Sequence, residues 1–328
     1  MRFSEFFYRW LYGDGGYYAS FPEIGKGGDF FTSVSVTPLF GGAIARHIHR
    51  RIQQGELAPD ATIFEVGAHR GYLLADIVQF LYTFDPSLIE TLRFAIVEPF
   101  ERLRKIQRDY FAQSFGDAVG LAHYKDFNEV RCEEGFVVAN EIFDAFPCEL
   151  IYKGKMGYMD GWKVVWGEGD QEILDIARRY GQRKGEVARG YGTFAKKMAG
   201  AFDRCEFVTF DYGDLEVRND FSLRVYTRHR VYPFFDEELD IRSAFGRSDI
   251  TYDVNFSHLI DAFEDAGWQK EAYKTQMAAL VDFGIMELLE KIMQHKGFEI
   301  YKQELEKVKV FINPSIMGER FKMVSFIK

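Results

Sequence analysis

The feature that most constrains this chain is an alternation that begins at Thr62. The apolar run ATIFEVG (61–67) is followed by a helical stretch over 72–84, and RFAIVE (93–98) by another over 101–115. GFVVAN (135–140) and EFVTFD (206–211) repeat the pattern of an apolar run closed by a polar residue. Strands alternating with helices in this way predict an α/β fold built on a doubly wound, mostly parallel sheet. Ligands of such sheets sit outside the carboxyl ends of the strands. Glu65, Glu98, Asn140, Glu141 and Asp211 fall there.

The flanking segments read differently. Residues 3–13 show helical apolar spacing and end in Gly13-Asp14-Gly15-Gly16; a second glycine-rich loop covers 25–30, and Pro38 to Ile52 reads as an amphipathic helix. Residues 1–60 are therefore expected to form an N-terminal helical segment with a Gly-rich lid. Glu149–Glu168 reads as hairpins turning at Gly154 and Gly161, and 172–202 as largely helical. This marks 149–203 as an inserted cap and leaves 61–148 and 204–328 as the core. After Asp211 a loop-rich segment runs to Asp253, with helices near 256–266 and 275–295. Short strands near 308–312 and 321–327 are expected to close the sheet as an antiparallel edge.

Composition narrows the function. The 328 residues carry a net charge of −9, with none of the basic footprint that phosphate neutralisation demands, so nucleic acid is excluded as a partner. The basic runs RHIHRR (46–51) and RRYGQRK (178–184) read as solvated helix faces, and an acidic surface suits a cationic partner. Three widely spaced cysteines without a C-x-x-C pair support neither a disulfide framework nor a metal site. No signal-peptide pattern follows Met1, and no apolar run approaches the roughly 20 residues of a membrane span. A cytoplasmic protein is expected. Aromatics make up 17% of the chain, enough to fill a large core, line a groove or supply a homodimer surface.

Chemistry concentrates at the strand ends. In Glu65-Val66-Gly67-Ala68-His69-Arg70-Gly71 the glycines let backbone approach a ligand before a helix N-terminus, although a tight strand–helix turn has the same spacing. Glu98, at the next strand's tip, is placed to accept hydrogen bonds from two ribose hydroxyls. The pair fits NAD or S-adenosylmethionine almost equally, and the missing third glycine tilts against NAD. Asn140-Glu141-Ile142-Phe143-Asp144 offers two carboxylates three residues apart that can hold a cationic group; the alternative is that Asp144 caps the next segment and Glu141 faces solvent. GKGGDFFT (25–32) is not a P-loop, and a mobile lid is the expectation.

The motifs together resemble the MidA-type methyltransferases, the family that includes the mitochondrial complex I assembly-factor methyltransferase. FFYRWLYGDGGYY (6–18) and GKGGDFFTSVSVTPLFGGAIA (25–45) are similar to the family's opening segments. FEVGAHRGYLLADIV (64–78) resembles its "E.G.G.G.L..D.L", IVEPFERLRKIQ (96–107) its "VE.S..LR..Q", and NEIFDAFPCE (140–149) its "NE..DALP". FDYGD (210–214), LRVYTRHRV (223–231) with DITYDVNF (249–256), TQMAALVDFGI (275–285) and PSIMGERFK (314–322) carry the likeness almost to the end. His69 stands at the family's middle glycine and Ser222 at a threonine.

The resemblance implies a class I methyltransferase fold, Rossmann-like, with S-adenosylmethionine as cofactor. Gly67 and Gly71 would face its methionine part, Glu65 its amino group, Glu98 the ribose, Asp126 and Phe127 the adenine, and Asn140 the sulfonium. Asp29, Phe30 and Thr32 would fold over it. The implied chemistry is methylation of an arginine on a protein partner, a respiratory complex I subunit, with Glu141 and Asp144 catalytic and Asp211, Tyr226 and His229 as substrate contacts. A non-catalytic assembly protein that keeps the fold and grips a partner is the alternative.

Overall fold

The computed structural model describes residues 1–19, 36–227, 230–313 and 317–328. The chain divides into two compact units, one of Thr32–Asn140, Ala195–Asp211 and Ala266–Lys328, the other of Met1–Phe31, Glu141–Phe194 and Tyr212–Asp265. The stretch set apart in the sequence as a cap, 149–203, is split between them at Phe194.

The first unit holds the large sheet. Its strands are β1 (Thr62–Val66), β2 (Arg93–Val97), β3 (Leu121–Tyr124), β4 (Cys132–Asn140), β9 (Phe202–Asp214), β14 (Gln269–Thr275) and β15 (Phe321–Ile327). They run in the order β14-β15-β9-β4-β1-β2-β3. Pairing is parallel from β3 through β9, in the register Thr62↔Arg93, Thr62↔Gly135 and Phe136↔Glu206, and β14 joins β15 antiparallel. The inner strands are apolar on both faces: Ile63, Phe64, Ala95, Ile96 and Val137 are all buried. Such runs form strands because β-branched and aromatic side chains pack well on a pleated surface covered on both sides.

Several elements depart from expectation. The helix Leu39–Gln53 buries the basic run in part: His47 Nε2 lies 2.6 Å from Glu206 Oε1 on β9 and Arg51 Nε 2.8 Å from Glu206 Oε2. That run is therefore an ion-paired seam rather than a solvated face. Residues 308–312 end the helix Phe298–Ile312 instead of forming a strand, with Val308 and Phe311 buried one turn apart. The strand alongside β15 is β14, formed from residues 269–275. The helical stretch after it breaks at Gly284 into Gln276–Asp282 and Ile285–Lys296.

The second unit contains two small sheets. β5 (Cys148–Tyr152), β6 (Lys155–Asp160) and β7 (Lys163–Gly167) are the expected hairpins, turning at Gly154 and Gly161, and β8 (Lys184–Ala188) completes the order β7-β6-β5-β8. Residues 172–202 are thus not continuously helical: β8 separates Gln171–Arg179 from Tyr191–Ala201. The loop-rich segment holds β10 (Arg224–Thr227), β11 (Arg230–Pro233) and β12 (Asp249–Thr251), ordered β11-β10-β12. The opening helix Phe3–Leu11 packs on this unit through Phe3, Phe6 and Trp10 against Phe234 and Phe245, and Trp10 Nε1 donates to Ser248 O at 2.7 Å. Gly213, near the end of β9, pairs with Val254 in β13 (Val254–Asn255); a Cβ there would meet Val254 O at 2.0 Å.

Candidate functional site

In the large-sheet unit the carboxyl ends of β1 and β2 form one cluster. Glu65 is 4% exposed, and its Oε2 accepts the Leu74 N–H at 2.9 Å in the first turn of the helix Tyr72–Phe84. Between them the chain turns through left-handed Gly67, His69 and Gly71 (φ 68°, 46° and 81°). The left-handed conformation favours glycine at 71, where a Cβ would also lie a tight 3.3 Å from the Phe111 ring. Histidine is among the few residues enriched in the left-handed region. The turn is held from outside: Gln107 Nε2 donates to the His69 carbonyl at 2.9 Å, and the His123 Nε2–H donates to Gln107 Oε1 at 3.0 Å.

Glu98 lies just past β2 and is 3% exposed. Its N–H donates to Tyr124 O at 2.9 Å and its Oε1 accepts from Phe100 N–H at 3.0 Å. Arg104 donates to the carbonyls of Glu98 and Pro99 at 2.7 and 2.9 Å, fixing the turn into the helix Glu101–Phe115. Gln107 also bonds the Glu98 side chain, so one buried amide ties the glycine turn to the acid at the neighbouring strand tip. Burial raises Glu65 to about 8 and Glu98 to about 7, and lowers His123 to about 4. Two carboxylates this poorly hydrated favour an arriving ammonium or a pair of hydroxyl donors.

The other expected cofactor residues divide. Asp126 accepts from Asn128 N–H at 2.9 Å and from Lys197 Nζ at 2.7 Å, so both its oxygens are engaged by the chain itself. Phe127 is buried with its ring edge-on to Phe202. Asn140 is half-buried at the end of β4, and Asp211 is wholly buried. Asp29, Phe30, Thr32 and His229 lie outside the described residues.

A second cluster belongs to the other unit. Glu141 is half-buried and left-handed at φ 54°. Asp144 is buried, and the Tyr212 hydroxyl donates to its Oδ2. Above the Tyr212 ring, at 4.4 Å, lies the Arg224 guanidinium, which donates to Asp253 Oδ1 at 2.6 Å and to the Tyr226 hydroxyl at 3.1 Å. Ser222 Oγ donates to Glu186 Oε2 at 2.9 Å and accepts from Asp253 N–H at 2.9 Å, so serine meets the hydroxyl requirement at the position where threonine was expected. Burial pushes Asp144 up to about 6 and Glu186 to about 7. Of the two carboxylates singled out in the sequence, Glu141 is half-buried and Asp144 buried. Gln107, Arg104 and His123 were missed in the sequence, although Gln107 and Arg104 stand in the quoted "VE.S..LR..Q" likeness.

A parallel order 3-2-1-4 continuing into β9, an antiparallel pair at one edge, a glycine turn and an acid at the next strand tip define a nucleoside-binding methyltransferase domain of class I. Residues 43–274 match the family described as "putative S-adenosyl-L-methionine-dependent methyltransferase", and the chain belongs to that family. It is similar to protein arginine methyltransferase NDUFAF7, mitochondrial, of Danio rerio (25% identical, covering 95% of this chain and 79% of that one) and of Homo sapiens (23%, covering 95% and 76%). A solved structure from Burkholderia thailandensis bound to S-adenosyl-homocysteine superposes with a TM-score of 0.84 at 25% identity, covering 100% of this chain and 88% of that one. The protein is an S-adenosylmethionine-dependent methyltransferase. Its residues fit that cofactor: the buried acids Glu65 and Glu98, closing adjacent strands, suit an amino group and a diol. No helix among the described residues is long and apolar enough to cross a membrane.

Proposed function

We propose that the protein methylates an arginine side chain of a protein partner. The observation that carries this reading is Glu141, a half-exposed carboxylate in a strained left-handed conformation directly after the end of β4. It is supported by a likeness to protein arginine methyltransferases that extends over 95% of this chain. S-adenosylmethionine, when bound, supplies an electrophilic methyl group. The backbone of Gly67–Gly71 would let the cofactor approach, with Glu65 to hold its amino group and Glu98 to accept from the ribose. Glu141 would hold the guanidinium, direct one nitrogen, and take up the proton that nitrogen loses as its new bond to the methyl carbon replaces that carbon's bond to sulfur, which leaves with the electron pair in S-adenosylhomocysteine. Arginine stays charged at any working pH, so a carboxylate partner and in-line positioning do most of the work. Asp144 and Tyr212 steady the turn that carries Glu141. The partner is proposed to be a respiratory complex I subunit, by the family likeness.

The test is transfer of isotopic methyl from S-adenosylmethionine to candidate protein partners, with the labelled residue located by mass spectrometry. Label on arginine, lost in Glu141→Gln while S-adenosylhomocysteine still binds, is expected. Label confined to another residue type, or full turnover in Glu141→Gln, overturns the reading. A complex I subunit among the labelled proteins tests the finer assignment.

A further inference from the structure

Asp249, at the start of β12, is 1% exposed, yet among the described residues no lysine, arginine or histidine pairs with it. Among the described residues it accepts from the Tyr18 hydroxyl at 3.3 Å and from Ile250 N–H at 2.9 Å, both at Oδ1. The negative charges of Asp144 and Glu141 bear on it as well. Across the ladder in β10, the Arg224 guanidinium is taken by Asp253, Tyr226 and the Tyr212 ring. Burial and those like charges push the Asp249 carboxyl well up, so the fold keeps its proton on, and a guanidinium seated against it is what would favour the ionised form.

An independent observation stands two residues on. Thr251 is 3% exposed, and its Oγ1 has no hydrogen-bond partner. Side chains alternate along a strand, so Thr251 shares a face with Asp249. Across the ladder Asp249 pairs with Tyr226 and Thr251 with Arg224, placing all four on that face. Tyr18 and Tyr226 are half-exposed and form an aromatic margin to this floor.

We infer that Asp249 and Thr251 form the floor of a guanidinium-binding pocket, with Tyr18 and Tyr226 at its rim and Glu141 beside it. This rests on the arginine reading above and specifies where within the second unit the arginine head is held. The carboxylate accepts two N–H groups of the planar fork, Thr251 Oγ1 accepts a third, and the tyrosine faces flank the cation.

The test measures binding of N-acetyl-arginine amide and of N-acetyl-citrulline amide, its uncharged near-isostere, to the full chain with S-adenosylhomocysteine bound. The wild type is expected to prefer the arginine probe by about tenfold or more, the scale of a hydrogen bond to a charged group. Asp249→Asn keeps the shape and the Tyr18 contact, and should bring that preference close to unity with S-adenosylhomocysteine affinity unchanged. Thr251→Val should weaken the arginine probe several-fold, and carries the test if the asparagine variant does not fold. A preference that survives in both variants overturns the pocket, as does a wild type that does not distinguish the two probes. Arginine methylation itself is decided separately by the residue labelled in the transfer assay, so the two readings fail independently.

Discussion

The role proposed for Glu98, as acceptor for the ribose, makes cofactor affinity depend on pH. The carboxyl must be ionised to accept from two hydroxyls, and burial raises its proton affinity to about 7. S-adenosylhomocysteine should therefore bind more weakly as pH falls from 8 to 6, approaching a tenfold loss per unit once Glu98 is mostly protonated. Calorimetric titration of Glu98→Gln should show weaker binding with this contribution to the pH dependence removed. His69 is a different case. Its carbonyl is gripped by Gln107, and its side chain is half-exposed. His69→Gly should relieve left-handed strain of about 1 kcal/mol and leave affinity within about threefold. Gln107→Leu frees the carbonyl and strands His123, so affinity should fall about tenfold, the scale of one lost buried hydrogen bond. Equal binding by the wild type and Gln107→Leu would mean that the turn holds itself.

At the scale of elements, the sequence was legible where burial is two-sided. β1, β2, β4 and β9 announced themselves because both faces must be apolar, and Glu65 and Glu98 were singled out because a polar residue closing such a run stands at a strand end, where both are in fact buried. β3 (LAHY) was hidden because an edge strand is only half covered, and its pattern lacks an apolar run. VKVFI at 308–312 misled in the opposite direction: a short apolar run has no period of its own, and here Val308 and Phe311 lie on one helical face. Gln107 was hidden because it sits in a helix rich in charge, and its role is set by two neighbours distant in sequence, His69 and His123. Gly213 illustrates how strict one element's pairing can be. It adopts φ 149°, and a Cβ would meet backbone atoms that cannot yield. Gly213→Ala should cost about 3 kcal/mol or more, the range of backbone strain combined with a steric clash, as read by urea unfolding.

At the scale of the whole molecule, the shifted groups combine into one stability profile. Glu65, Asp76, Glu98, Asp144 and Glu186 hold their protons more tightly folded than unfolded, with values near 8, 7, 7, 6 and 7. The stability they contribute is fully present below their ordinary values and is lost as pH rises through the folded ones. His123 and His258 oppose this: both are lowered from 6.5 to about 4, so their contribution is present above 6.5 and is lost as pH falls towards 4. The windows overlap only in acid. Between pH 6.5 and about 8 the carboxylates act alone, and the melting temperature of the free protein should fall by several degrees. The net charge of −9 pushes the same way through self-repulsion, but salt screens that component and leaves the buried one. Thermal scans in high salt therefore isolate the buried acids. Saturating S-adenosylhomocysteine favours the ionised forms of Glu65 and Glu98, so its stabilising shift should grow over this interval. A melting temperature that stays flat from pH 6.5 to 8 in high salt would show that these acids ionise in the fold without penalty.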